Sequence, residues 1–167
     1  MPIPNIEQPQ IIEITELIRL RKYDGNYQVA MEWYQDKETL MLVNGNDNLY
    51  DLEKLKCMYE YLNAHGEEYF IEVKKKGHFI PIGDVTLSKD DMPIVIGDKN
   101  YRGRGIGKLV ILALLKRAKK IGFEYQHVNE IYDFNLASQK LFTSCGYTVH
   151  SKTEKGASYV IHLNHEL

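Results

Sequence analysis

Residues 100–120 read NYRGRGIGKLVILALLKRAKK, and the reading of this stretch decides the fold. Gly103, Gly105 and Gly107 alternate with Arg102, Arg104 and Ile106, and an apolar run from Leu109 to Leu115 follows. Upstream lies the β-rich run MPIVIG (92–97), so a strand feeds a loop that opens a helix. Helix N-termini leave backbone N–H groups unpaired and carry partial positive charge, so anions collect there. Glycines let the backbone approach a ligand closely and take positive φ. The two arginines and Lys108 add charge at the same point. The pattern calls for a phosphate.

Spacing narrows which phosphate. A P-loop needs Gly-x-x-x-x-Gly-Lys followed by Ser or Thr; here Leu109 follows Gly107-Lys108, and Arg102 stands where the first glycine belongs. The dinucleotide fingerprint Gly-x-Gly-x-x-Gly would need a glycine at Lys108. A net charge of −2 argues against a general nucleic-acid binder, and an apolar helix must be buried rather than lie in a groove. A plain turn with solvated arginines would not require three alternating glycines, which carry an entropy cost.

Working outward, residues 1–10 hold several prolines and read as a loose lead-in. Ile11 to Lys22 reads as a strand with Ile12, Ile14, Ile18 and Leu20 on one face, although Glu16 and Leu17 spoil the alternation. Residues 26–44 and 48–65 read as helices, the second with a clean stripe of Leu52, Leu55, Met58, Tyr59 and Leu62 and Gly66 as its stop. Residues 69–77, 79–88 and 92–97 read as an antiparallel meander. A helix over Gly105–Ile121, a strand over His127–Tyr132, a helix over Leu136–Ser144 and a hairpin of 147–151 with 157–163 complete the chain. This order predicts a mixed α/β domain whose central, mostly antiparallel sheet is flanked by helices.

Length fits a single domain over 1–167 with a core of its own. Cys57 and Cys145 stand far apart, a pattern suited to a reducing cytoplasm. The N-terminus lacks a basic n-region and the longest apolar run is too short to cross a bilayer, so neither a secretory leader nor a membrane partner is expected. His162-x-x-His165 lacks partners at metal spacing, so no metal is expected.

The run Arg102-Gly103-Arg104-Gly105-Ile106-Gly107 resembles the Arg/Gln-x-x-Gly-x-Gly/Ala signature of the GNAT superfamily of N-acetyltransferases. Downstream, Asn135-Leu-Ala-Ser138 with Gly146-Tyr147 is similar to that family's Asn-x-x-Ala/Ser…Gly-Phe/Tyr segment. The Asn-x-x-Ser form and the stretch at 33–38 resemble the branch of ribosomal-protein N-terminal and aminoglycoside 6′-acetyltransferases.

The resemblance implies that acetyl-CoA lies between two splayed parallel strands, here 92–97 and 127–132. It implies that Val95 and Ile96 pair with the pantetheine, that the amides of Arg102, Gly103, Arg104, Gly105, Ile106, Gly107 and Lys108 hold the diphosphate, and that Asn135 contacts the cofactor arm or braces the strand end. Val95 and Ile96 would equally serve as ordinary core, and Asn135 as a helix N-cap.

Attack of an amine on a thioester needs a base for the ammonium proton and an acid for the leaving thiolate. Asp98 leads for the base and could equally close a turn; Glu130, Asp133 and Asp84 are alternatives. In the family's commonest pattern a tyrosine stands seven residues after the asparagine, where this chain has Phe142. Ser138 is the residue the resemblance offers in its place, with Tyr132 and Tyr147 behind it. The acceptor pocket is expected from 23–66, the 83–92 loop and the closing hairpin, with Trp33, Tyr34, Asp47, Asp51 and Asp84 as candidates. A small-molecule amine is the expected acceptor and a protein N-terminus the alternative; a non-catalytic CoA-binding module is the reading from another class. Family members imply a monomer or homodimer.

Overall fold

The computed structural model describes residues 1–163. Strands β1 (Ile11–Glu13) and β2 (Ile18–Lys22) lead, followed by helices α1 (Lys37–Asn44) and α2 (Leu52–His65). Strands β3 (Glu67–Lys75), β4 (His78–Leu87) and β5 (Ile94–Ile96) come next, then α3 (Ile106–Lys120), β6 (Tyr125–Tyr132), α4 (Leu136–Ser144), β7 (Thr148–Lys152) and β8 (Gly156–His162).

The strand expected over Ile11–Lys22 is a hairpin. Thr15 Oγ1 accepts the N–H groups of Leu17 and Ile18, which turns the chain where the alternation fails. The helix expected over 26–44 breaks into two 3-10 turns, Tyr27–Ala30 and Trp33–Gln35, and becomes α-helical only at Lys37. Asp36 causes the restart: its backbone is extended and its carboxylate accepts the Thr39 N–H at 2.9 Å, an N-cap. Asp51 does the same for α2, accepting the Lys54 N–H at 2.8 Å, so that helix begins at Leu52, the first residue of the stripe, and not at 48 as expected. Gly66 does follow α2, but in an extended conformation. A Cβ there would lie 2.7 Å from the Leu87 carbonyl oxygen, so close approach selects glycine at this position. The lead-in is tied down: Gln8 is buried and donates to the Glu68 carbonyl, and Arg117 donates to the Glu7 carbonyl.

Strands β1 to β5 form one antiparallel sheet in chain order, and β6, β8 and β7 form a second. The central sheet is therefore split. At the split, the Lys89 carbonyl accepts the His127 N–H at 2.9 Å and the Asp91 carboxylate accepts the Asn129 N–H at 3.0 Å. The register advances in the same direction on both chains, so β5 and β6 run parallel. Beyond these two bonds no ladder joins them among the described residues, and they diverge.

Two cores flank the first sheet. Under α3, the side chains of Ile106, Val110, Ile111, Leu114, Leu115 and Ala118 recur at helical spacing and pack on Leu20, Ile71, Val85 and Leu87. Under α1 and α2 the core is aromatic, with Tyr23, Trp33, Tyr34, Tyr59 and Phe70 around Leu40 and Leu55. Tyr23 stacks on Tyr59 with ring centroids 5.2 Å apart. This second core carries α1 to the edge of the split.

Candidate active site

The divergence of β5 and β6 opens a cavity of about 470 Å³. Its mouth is the loop and first turn of α3, from Tyr101 to Lys108 without Arg104; its sides are β5, β6, the start of α4 and one face of α1. Gly103 and Gly105 have φ of +70° and +80°, and a Cβ on either would meet nothing within 4 Å. Their glycine character therefore answers to backbone conformation and leaves open space above the loop. The first N–H groups of α3 have no partner inside the helix, as at any helix start. Gly107 differs: its Cβ would lie 3.1 Å from Leu141 Cδ2, so it lets α3 approach α4.

The peptide groups of β5 alternate. Thr86 N–H donates to the Pro93 carbonyl and Gly97 N–H to the Ile82 carbonyl, which places 93, 95 and 97 in bonded pairs with β4. The groups of Ile94 and Ile96 accordingly face β6 across the cavity. Of the expected pair, Ile96 turns its backbone to the cavity, whereas Val95 turns its own toward Asp84 and offers its side chain to the aromatic core. Ile94 was not singled out from the sequence, although period-two alternation alone would have coupled it to Ile96.

Arg102 is engaged throughout. Its backbone N–H donates to the Lys99 carbonyl, Nε donates to the Ile96 carbonyl at 2.7 Å, and Nη2 to Thr39 Oγ1 at 2.7 Å. Arg104 is exposed, its guanidinium 5.3 Å from the centre of the Tyr101 ring. Asn135 is buried, caps α4 by accepting the Ser138 N–H at 3.1 Å and reaches the Leu42 carbonyl of α1 at 3.4 Å.

Glu130 and Asp91 supply the carboxylates of the cavity wall. Asp91 accepts the N–H groups of Met92 and Asn129 at the closed end, where burial pushes its carboxyl up. Glu130 is half-buried, and its Oε2 accepts from Thr153 Oγ1 and the Lys155 N–H of the closing hairpin. Ser138 lines the same cavity one turn into α4. Asp98 does not reach the wall: it accepts the Asn100 N–H at 3.0 Å and caps the 3-10 turn Lys99–Tyr101. Phe142 is buried, lines the cavity and packs edge-on against Tyr147, whose hydroxyl donates to Gln126. Tyr132 also lines the cavity, and burial followed by the Glu130 charge raises its phenol.

Of the residues expected on the acceptor side, Trp33, Tyr34 and Asp84 lie behind the wall, whereas Asp47 and Asp51 are exposed and Asp51 is spent capping α2. Trp33 and Tyr34 are buried in the aromatic core. Asp84 is 2 % exposed, and the hydroxyls of Tyr34 and Tyr59 both donate to its Oδ2 at 2.7 Å. Burial pushes Asp84 up to about 6 while the Tyr59 and Tyr34 bonds pull it back. Diagonal to it, Glu68 is fully buried with both carboxyl oxygens unpartnered among the described residues, and burial first, then the Asp84 charge, pushes it up to about 10. Asp84 was expected as a base or acceptor residue, but Glu68 and its pairing with Asp84 were missed, because the two come together only on β3 and β4.

No group of His, Cys, Asp and Glu suited to a metal occurs among the described residues, and His165 lies outside them. No described helix is long and apolar enough to cross a membrane.

The sequence matches the acetyltransferase (GNAT) family over residues 27–147, and the chain belongs to that family. An uncharacterized protein of Methanocaldococcus jannaschii is 27% identical over 164 residues, covering 88% of this chain. The chain spans about a third of that relative's length, 33%. Among solved structures, a GNAT-family acetyltransferase from Bacillus anthracis superimposes with a TM-score of 0.75 at 14% identity, covering 91% of this chain and 98% of that one. The spermidine N-acetyltransferase of Vibrio cholerae, in complex with CoA and spermine, gives 0.71 at 13% identity over 89% and 97%. At such identities the likeness is one of fold.

Proposed function

We propose that this member of the acetyltransferase (GNAT) family transfers the acetyl group of acetyl-CoA to the primary amine of a small molecule such as a polyamine or aminoglycoside. The observation that carries the reading is one cavity that joins the glycine loop of α3 to the carboxylate of Glu130. The diphosphate would rest on the amides from Gly103 to Lys108, and the pantetheine would run past the cavity-facing peptide groups of Ile94 and Ile96. The donor supplies an acyl group already activated as a thioester, so holding both reactants in line does much of the work.

Glu130 takes the proton from the incoming ammonium. Its Oε2 is held by Thr153 and Lys155, which fixes the carboxyl and leaves Oε1 for the acceptor. Asp98 is the weaker candidate for the base because it caps the turn at Lys99–Tyr101 and does not line the cavity. With Phe142 unable to donate, the Ser138 hydroxyl, through a water, passes a proton to the departing sulfur as it takes up the proton that the attacking nitrogen sheds on becoming an amide, so that no alkoxide is left. Asn135 sets Ser138 through the α4 cap. Trp33, Tyr34 and Asp84 support the wall from behind. A polyamine is the acceptor named for the spermidine enzyme of like fold. A protein N-terminus is the second reading, favoured by the Asn-x-x-Ser form at Asn135–Ser138. The reading takes 1–167 as one domain, working as a monomer or homodimer in the cytoplasm.

The test is thiol release from acetyl-CoA with polyamines, aminoglycosides and peptides bearing free N-termini. Release with a small amine supports the proposal, and release with peptides alone transfers it to the second reading. CoA binding without release on any amine would leave a binding module.

A further inference from the structure

A single side chain spans the gap between the strand that borders the cavity and the helix that forms its far wall. Arg102 reaches back from the glycine loop to the Ile96 carbonyl through Nε and across to Thr39 Oγ1 through Nη2, both at 2.7 Å. Thr39 is 2 % exposed and stands in the first turn of α1. Its hydroxyl donates in turn to Asp36 Oδ2 at 2.7 Å, and the Thr39 N–H reaches the same oxygen at 2.9 Å. Asp36 Oδ1 meets Lys99 Nζ at 2.9 Å, and Glu38 lies 3.4 Å from the same ammonium. The residues just before the glycine loop therefore grip the start of α1 twice, once at the cavity wall and once at the rim. Lys99 holds Asp36 well below the usual carboxylate range, down to about 2.

The two grips differ in kind. The Lys99 pair is solvent-exposed, and such pairs contribute little. The Arg102 fork is charge-assisted and sheltered, with two fixed acceptors on different elements. One acceptor, the Ile96 carbonyl, faces the cavity. Anything that moves the glycine loop moves the fork, and the fork moves Thr39.

We propose that Arg102 and Thr39 are positioning residues that transmit occupancy of the glycine loop to α1, so that donor binding sets the wall against which the acceptor lies. The inference rests on the proposed donor site. It predicts ordered addition, donor first, and it assigns to the Arg102 side chain a task apart from charge at the phosphate.

The test uses CoA as the probe and amide hydrogen exchange of residues 37–44 as the readout. In the unaltered chain, CoA should slow exchange across 37–44. Thr39→Val keeps the shape and the Asp36 bond to the Thr39 amide but removes the hydroxyl; Arg102→Lys keeps the charge but cannot span both acceptors. In each variant the CoA-dependent slowing of 37–44 should be lost, and CoA should bind about tenfold more weakly at most, because the loop amides remain. An intermediate response in Thr39→Ser, which restores the hydroxyl, supports the link. CoA binding to the unaltered chain with no change in 37–44 overturns the inference and leaves the proposed function standing. So does an undiminished response in both variants. Failure of the unaltered chain to bind CoA overturns the proposed function and this inference with it.

Discussion

Gly97 lies flat against the indole of Trp33: a Cβ on Gly97 would fall 2.1 Å from Trp33 Cγ and 2.4 Å from Cδ2. The end of the cavity strand is thus docked on the aromatic core that carries α1. Glycine is required here by space, since this residue is absent from the positive-φ positions. Gly97→Ala should cost about 1–3 kcal/mol by overpacking, which for a chain of this size lowers Tm by about 2–4 °C per kcal/mol. A thermal melt followed by the fluorescence of Trp33, the chain's one tryptophan, reads both the loss and the displaced indole. An unchanged melt and spectrum would show that the two elements relax without cost.

Glu130→Gln should lower turnover by about 10²–10⁴, the range for loss of a general base. The amide can still accept from Thr153 and Lys155, so CoA affinity should change far less than turnover. Equal losses in CoA affinity and turnover would make Glu130 a structural tie to the closing hairpin. Asp98→Asn is the companion measurement, expected to act through its turn.

Gly105→Val should weaken CoA binding without filling any contact. The residue sits at φ +80° in open space, so the cost is conformational, about 1–2 kcal/mol for an L-residue and more for a β-branched one. Gly107→Val should act differently, by pushing α4 away through Leu141. Calorimetric titration with CoA and a thermal melt together distinguish them: Gly105→Val can relax by rearranging an exposed loop, so it predicts mainly a loss of affinity, whereas Gly107→Val predicts a loss of stability from the displaced α4 as well.

The buried acids make stability depend on pH. Glu68 titrates at about 10 in the folded chain against 4.5 as its ordinary value, and Asp84 at about 6 against 3.8. A carboxyl raised on folding contributes stability that is complete below its unfolded pKa and is lost as pH rises toward its folded pKa. Stability should therefore fall between about pH 4 and 6 through both groups and continue to fall toward pH 10 through Glu68. Glu68→Gln should flatten the upper part of that profile and melt higher than the unaltered chain at alkaline pH. The new amide can donate toward Thr86 Oγ1 or Gln8 Oε1, which are buried and unpartnered among the described residues. Parallel melting profiles for the two proteins would mean that water or a cation balances Glu68.

The amino-acid sequence by itself determined the local chemistry. The glycine–arginine run fixed the loop and the start of α3, because positive φ and orphan N–H groups are properties of a few consecutive residues. Asn135 with Ser138 fixed the α4 cap, again a local bond. The meander at 69–97 was legible because its alternation and turn residues are short-range. The break of 11–22 at Thr15 and of 26–44 at Asp36 was written in single polar side chains whose capping bonds outweigh a run's periodicity.

What only the tertiary structure decided depends on residues distant in the chain. The sheet splits because Lys89 and Asp91 bond to β6 and, among the described residues, no ladder continues beyond them. Trp33 and Tyr34 are buried because α1 and α2 fold over β3 and β4, a burial that a polar-rimmed aromatic gives no hint of in sequence. Glu68 and Asp84 stand diagonally across a ladder in which Phe70 faces Asp84, and the Arg102 fork joins residues 63 positions apart. Each of these is a choice among partners, settled by the free energy of packing the whole chain rather than by any segment alone.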